Sequence, residues 1–516
     1  MQKHPFGNTR QRARKTLWTL ACAVAFGAAA QAQADEQQNL GGDRVAYVGG
    51  TVVSPHLPAP IADAVVLVKD GRIEAVGPAS LAIGEGYRRV NIAGRYLAPG
   101  YIDAHMHFFQ SGGAFTRPDS FDFSQIQPYA TDRAWVEAHL EDTSVRYLMS
   151  GITAVADMCG PSLNYRARAL AASASFAPTV ATAGACISSF GAPALDLGDG
   201  DPVYQHVTSA EAAVAAVRDQ LKRQPDLIKI VWSPDGGESP QQLFDLFEHA
   251  IRLARHKGIP VAVHATDLAN AKMAIRAGAN ILVHGVMTDA IDEEFITLAK
   301  QHDIIYVPTI AVHQKMTEMA RGEPAFSDHE HALAHADILA SFEQAAAAPG
   351  KAGMMVQMVR KYMAFVDADD TTIAALSPQE QAIVGQLKGF FAGELVQIQR
   401  QNLKRLYDEG VTLAVGTDAG NPGVLHGASF LTEMAEWQKA GLPQQAILRA
   451  ATLNGAKVIG LGASLGSIEA GKRADMVVLT RNPLEAVENM AMVEAVVKGG
   501  TYRRMPDLQD QLTDPR

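Results

Sequence analysis

Two histidines one residue apart end the stretch Pro99-Gly100-Tyr101-Ile102-Asp103-Ala104-His105-Met106-His107. Side chains on an extended strand alternate between its faces, so both imidazoles would point the same way. Two neutral ring nitrogens on one face form a chelating edge for a borderline ion such as Zn²⁺. Such a pair also arises by chance. Three other stretches place a ligand type at the end of an apolar run: His264 in Val263-His264-Ala265, His284 in Val283-His284-Gly285, and Asp418 in Gly416-Thr417-Asp418-Ala419-Gly420. Taken singly, each fits a hydrogen-bonded core residue as well as a ligand; brought to one place, four imidazoles and a carboxylate would make a metal centre. Lys229, in Asp226-Leu227-Ile228-Lys229-Ile230-Val231-Trp232, has apolar neighbours on both sides. A lone buried ammonium is costly, which leaves two readings: an edge strand that puts Lys229 in water, or a lysine chemically converted into a metal ligand.

Residues so far apart in the chain need a scaffold that gathers strand ends. Apolar β-rich runs alternate with helical patterns, the signature of βα units on a parallel sheet. Eight such runs can be read, at 101–107, 153–158, 179–187, 227–232, 260–265, 281–286, 304–310 and 412–418. They predict an α/β protein, a (β/α)8 TIM barrel over 98–465, in which chemistry takes place at the C-terminal ends of the strands. A doubly wound sheet is the alternative, but no G-x-G-x-x-G follows the first strand. The stretch 318–399 exceeds one crossover helix and predicts a helical insertion. Its Met-rich run 354–363 fits either the packing of an extra hairpin or a lid over the barrel mouth, and His329, His331 and His335 read as solvated helix residues. Short strands punctuated by turns, within 35–97 and 466–516, lack the apolar surface to fold alone and predict one small β-sandwich domain made from both ends of the chain. Asp70-Gly71 marks a hairpin there.

The set His105, His107, Lys229, His264, His284 and Asp418 resembles the amidohydrolase superfamily, in its binuclear subtype with a carboxylated lysine. The stretch from Gly416 to Leu479, with Gly416-Thr417-Asp418-Ala419-Gly420, Ala450-Ala451-Thr452-Leu453-Asn454 and Gly466-Ser467-Ile468-Glu469-Ala470-Gly471-Lys472-Arg473-Ala474-Asp475, is similar to the imidazolonepropionase-like branch, which includes Xaa-Pro dipeptidases. The resemblance covers about residues 44–500. It implies that His105, His107 and Asp418 hold one divalent ion, His264 and His284 a second, and N6-carboxylated Lys229 bridges them, with Zn²⁺ the ion expected. It further implies that a metal-bridging hydroxide attacks an amide carbonyl while Asp418 carries the proton. The substrate implied is a small peptide or an N-acyl amino acid. A cyclic amide, lactone, carbamate or xenobiotic amide would suit the same centre, since specificity lives in loops; a metal-free binding protein would be expected to have lost a ligand. Imidazolonepropionases bind one metal and lack the bridging lysine, so Lys229 argues against that activity. Trp232, Tyr306, His313, Asn421 and His426 are candidates for the mouth.

The chain of 516 residues is 47% hydrophobic and 19% charged, with three Cys, which excludes disorder, collagen and a disulfide scaffold. Met1 to Lys15 carries five basic residues and no acid, the apolar run Thr16 to Ala30 follows, and Ala32-Gln33-Ala34 fits a small-x-small cleavage site. Residues 1–34 are therefore expected to be a cleaved signal peptide of a periplasmic or secreted protein, with no membrane anchor. Their removal moves the net charge from −10 to −15, against a nucleic-acid partner. Cys159 and Cys186 would remain, expected as two buried small side chains. The partners expected are a small molecule or short peptide, with homo-oligomerisation open.

Overall fold

Short β-branched runs between turn residues make the first strands: β1 (Arg44–Val52), β2 (Ile61–Lys69), β3 (Arg72–Pro78), β4 (Arg88–Asn91) and β5 (Tyr96–Pro99). The coordinates are a computed structural model and describe residues 44–174 and 176–513; the expected leader at 1–34 lies outside the described residues. Asp70 and Gly71 join β2 to β3 with φ of 50° and 73°, the left-handed pair that a two-residue hairpin matching strand twist requires.

Ten parallel strands follow: β6 (Tyr101–Met106), β7 (Ile152–Asp157), β8 (Thr179–Thr182), β9 (Cys186–Ser188), β10 (Tyr204–His206), β11 (Ile228–Val231), β12 (Val261–His264), β13 (Ile281–Val283), β14 (Ile305–Val307) and β15 (Thr412–Leu413). Hydrogen bonding orders them as β6-β7-β8 and as β10-β9-β11-β12-β13-β14-β15. Every residue of β6, β7 and β11 is buried, which is why these runs read as continuously apolar rather than alternating. The run expected at 179–187 is two strands, because the chain turns at Gly184 with φ 73°. The run expected at 412–418 keeps only two ladder residues. Beyond them the chain bonds back to β6, with Ala104 N–H donating to the Val415 carbonyl at 2.9 Å and His107 N–H to the Ala419 carbonyl at 2.8 Å. Helices flank the strands through one apolar stripe each; Pro240–His256, started by a Ser239 capping box, buries Leu243, Phe247, Ala250, Ile251 and Ala254.

β16 (Met476–Leu479), β17 (Val493–Lys498) and β18 (Thr501–Arg504) pair with the N-terminal strands in the order β18-β17-β16-β5-β1-β2-β3, with β4 also on β1. Both ends of the chain thus share one sheet, where two layers of a sandwich are expected. The sheet stays continuous because β1 forks. Val45 to Val48 pairs with β4 and Thr51 to Val52 with β5, and the change of partner falls at the register shift around Gly50. Tyr47, Val66, Val68, Leu97, Met476, Val478 and Val497 form its core.

The insertion 318–399 packs onto the segments that leave β6 and β14. Ala114 N–H donates to Ser341 Oγ at 2.9 Å, Gly353 N–H to the Asp122 carbonyl at 2.7 Å, and His313 Nε2 to the Phe390 carbonyl at 2.7 Å. Its Met-rich helix Met354–Met363 is divided: Val356, Tyr362 and Met363 are buried, whereas Met354 and Met355 are exposed. His331 is exposed as expected and His329 half-buried. His335 is not solvated; it is buried and packs edge-on against Trp135, centroids 4.9 Å apart, because Arg146 binds the Leu333 and Ala334 carbonyls and draws the segment inward. Cys159 and Cys186 are buried but not two separate thiols. They form a disulfide, their Cα atoms 5.2 Å apart, because Cys159, just beyond β7, and Cys186, the first residue of β9, come within bridging range. Among the described residues, no helix is long and apolar enough to cross a membrane.

Gly416 shows how tightly the last strand lies on the first. A Cβ there would meet Val307 Cγ1 at 2.6 Å, His105 Cβ at 2.8 Å and the His105 backbone nitrogen at 2.9 Å. Gly416→Ala is expected to destabilise the protein by about 1–3 kcal/mol, read as a lower Tm in thermal unfolding.

Candidate metal centre

The ends of β6, β11, β12 and β13 and the segment after β15 bring together all six residues singled out by spacing. His107 Nε2 lies 2.8 Å from Asp418 Oδ1 and His105 Nε2 lies 3.3 Å from the same oxygen. The two Nε2 atoms are 3.2 Å apart. Lys229 Nζ is 3.4 Å from His105 Nε2, His284 Nδ1 is 3.7 Å from Asp418 Oδ2, and the His264 and His284 rings meet edge-on with centroids 4.4 Å apart. Lys229 is 2% exposed and sits on β11, flanked by β9 and β12, so the edge-strand reading falls.

Backbone and neighbours fix these directions. His284 and Asp418 adopt φ of 64° and 59°, and Thr309, beside them, 47°. Non-glycine residues in the left-handed region carry strain that a surrounding structure must over-determine. Part of that structure is Asp103. It accepts from the His105 N–H at 3.2 Å, the Thr417 N–H at 3.1 Å and the Thr417 hydroxyl at 2.6 Å, latching β6 to the segment that carries Asp418. Thr309 Oγ1 meets His284 Nδ1 at 3.0 Å. His107 Nδ1 lies 3.2 Å from the Cys159 carbonyl. A carbonyl can only accept, so Nδ1 carries a hydrogen, and in the neutral ring Nε2 would present its lone pair to Asp418.

Two acceptors 2.8 Å apart repel unless a cation lies between them. Among the described residues, Asp418 Oδ1 makes no aligned hydrogen bond despite its close neighbours, and His105 Nδ1 is buried without a partner. This donor set fits a divalent ion: His105, His107 and Asp418 offer ligand atoms that all lie within 4.8 Å of one another. Electrostatics agree. Burial, with the Lys229 charge, holds the His264 imidazole down at about 3 and His105 well below its ordinary value, leaving lone pairs available. Burial opposes ionisation of Asp418, but the imidazoles of His105, His107 and His284 around it outweigh burial and keep this carboxyl well below the usual range. Burial pushes the Lys229 ammonium down to about 8.

Of the mouth candidates, Asn421 is tied to the centre, its Nδ2 donating to the Asp418 carbonyl at 2.9 Å. Trp232 instead bonds Asn270, Tyr306 takes the Val286 N–H, His313 holds the insertion, and His426 binds Tyr147 and the Gln110 carbonyl. Sequence reasoning missed Asp103, Thr309 and Arg117. Asp103 had a signal, an acid inside an apolar run on the same face as both histidines.

Residues 96–502 match the description of the amidohydrolase family. The chain belongs to the amidohydrolase family. Members of this family generally bind metal, and the His-His-Asp cluster supplies such a place. The amidohydrolase is 33% identical over 107 residues to a 5-methylthioadenosine/S-adenosylhomocysteine deaminase of Teredinibacter turnerae, over 18% of this chain and 24% of that protein. It is 36% identical over 101 residues to an imidazolonepropionase of Porphyromonas gingivalis, over 19% and 24% of the two chains. These matches therefore span 24% of the length of either relative. In fold it is similar to a Xaa-Pro dipeptidase solved with methionine in its active site, with TM-score 0.64 and 20% identity over 89% of this chain and 100% of that one. An ochratoxinase of A. niger gives TM-score 0.64 and 21% identity over 92% and 99%.

The contact between His107 and the Cys159 carbonyl makes the disulfide a support of the centre. Replacing both cysteines by Ser is expected to weaken Zn²⁺ binding roughly tenfold, the scale seen when a partner behind a metal ligand is disturbed, measured by chelator competition against the oxidised protein.

Proposed function

We propose that this amidohydrolase is an exported, metal-dependent hydrolase that cleaves the amide bond of a small peptide or an N-acyl amino acid. The observation that carries the reading is the convergence of His105, His107, Lys229, His264, His284 and Asp418 on one buried spot at the strand ends. The circuit from β6 through β15 and back is read as the (β/α)8 barrel, with β8 and β9 as one broken strand and β10 as an extra strand on β9, and with 35–97 and 466–516 forming the second unit. The N-terminal apolar run and the disulfide support export to an oxidising compartment.

His105, His107 and Asp418 would hold one divalent ion and His264 and His284 another, with N6-carboxylated Lys229 between them; Zn²⁺ suits this imidazole and carboxylate set. When bound, such ions polarise the scissile carbonyl and make water acidic enough to act near neutral pH. The chain supplies the rest. Lys229, lowered to about 8 by burial, offers a neutral Nζ that can attack the carbon of dissolved CO2, forming an N–C bond and releasing one proton. Asp418, ionised and facing the cleft, takes the proton of the attacking water and passes it to the leaving amine. The left-handed backbone at Asp418 and the Asp103 latch hold that carboxylate in place for both transfers.

Lys229→Ala is expected to lose most of the bound metal by elemental analysis and to lower kcat at least a hundredfold, the scale of a general acid–base or metal defect. Two metals per chain in that variant would overturn the assignment of Lys229. Metal-stripped protein is expected to recover amide hydrolysis faster with Zn²⁺ plus bicarbonate than with Zn²⁺ alone. Equal rates would argue against carboxylation.

A further inference from the structure

Arg117 lies in the segment after β6, outside the six residues of the centre. Its Nε and Nη2 donate to the two carboxylate oxygens of Asp119, each at 2.8 Å. Its Nη1 donates to Asn421 Oδ1 at 2.8 Å, and Asn421 in turn holds the Asp418 carbonyl. A guanidinium has five N–H groups. Three are used, so one N–H on Nη1 and one on Nη2 remain on a side chain that is 18% exposed. Arg117 is near enough to Asp418 and His264 for its charge to act on both.

Tyr204, at the start of β10, borders the same place and feels the charges of Arg117 and Asp418. Among the described residues its hydroxyl has no hydrogen-bond partner. The mouth therefore holds a forked donor and a second free donor next to the metal centre, with Asp119 fixing the plane of the fork.

We propose that Arg117 and the Tyr204 hydroxyl bind a free carboxylate on the substrate, so that the enzyme selects amides carrying a carboxylate near the scissile bond, as dipeptides and N-acyl amino acids do. The inference rests on the amide-hydrolase reading and deepens it. Asp119 already neutralises the guanidinium, which lowers the cost of half-burying it and keeps affinity for a carboxylate moderate, as a product that must leave requires. Neutral lactones and xenobiotic amides would leave the fork without an acceptor.

The test compares N-acetyl-L-leucine and L-alanyl-L-leucine with their C-terminal carboxamides on Zn²⁺-loaded protein. Wild type is expected to prefer the acids by roughly tenfold to a hundredfold in kcat/KM, the worth of a charged hydrogen bond. Arg117→Met is expected to collapse that ratio, mainly through KM for the acids, and Arg117→Lys to restore part of it. The ratio within each variant does not depend on how much of the sample is folded. Carboxamides cleaved as well as acids by wild type, or a ratio unchanged in Arg117→Met, would overturn the proposal while leaving amide hydrolysis intact. If no amide is cleaved, the hydrolase reading falls and binding decides the carboxylate site. A rise in Tm of wild type with L-leucine but not L-leucinamide, absent in Arg117→Met, sustains the site, and no such difference overturns it.

Discussion

The lone pair of His107 and the carboxylate of Asp418 face each other across 2.8 Å in a buried cleft, and most of the surrounding structure exists to keep them there. Left alone, two acceptors at that distance would turn apart or take up a proton. The Cys159 carbonyl prevents His107 from turning by engaging its other nitrogen. Asp103 prevents the Asp418 segment from sliding by gripping Thr417 with both of its oxygens. Left-handed backbone at His284 and Asp418 then aims side chains that an ordinary strand end would direct elsewhere. Strained backbone and a buried carboxylate are both unfavourable locally, and a cation held by His105, His107 and Asp418 would offset that cost.

Much of this was legible because ligand types stood at the ends of apolar runs. An imidazole or carboxylate at the close of a buried strand has few ordinary uses, so His264, His284 and Asp418 announced themselves, and Lys229 did so by its incongruity. The strands between them were legible for the same reason: burial on both faces demands unbroken apolar residues. What stayed hidden depended on contacts between segments distant in sequence. The run 179–187 carries no sign that Gly184 breaks it. Cys159 and Cys186 sit in stretches that would suit buried thiols equally well, and only the approach of the segment after β7 to the start of β9 joins them. The forking of β1 rests on two partners that come from different later strands. His335 resembles a solvated helix residue until Arg146, far away in sequence, pulls its segment down.

The insertion 318–399 packs on the segment after β6 and on the helix after β14. Ala114 with Ser341 and His313 with Phe390 are two of the contacts that tie it there. The metal centre and its reader of substrate are therefore built from different parts of the chain. Strand ends fixed by the core, with the segment after β15, would hold the ion, whereas the segment after β6 and the start of β10 would present Arg117 and Tyr204.

The sheet shared by both ends of the chain sets an order of events as the protein is made. β5 can pair with β16 only after residue 479 exists, and β16 needs β17 as its other neighbour. Until then β5 has one edge of its backbone open to any strand it meets. A chain that crosses a membrane unfolded and emerges N-terminus first would hold that edge open through the whole assembly of β6 to β15. The last forty or so described residues thus act as the closing stitch of the first sixty, and a protein that stops short of β16 would be left with an adhesive margin rather than merely a shorter tail.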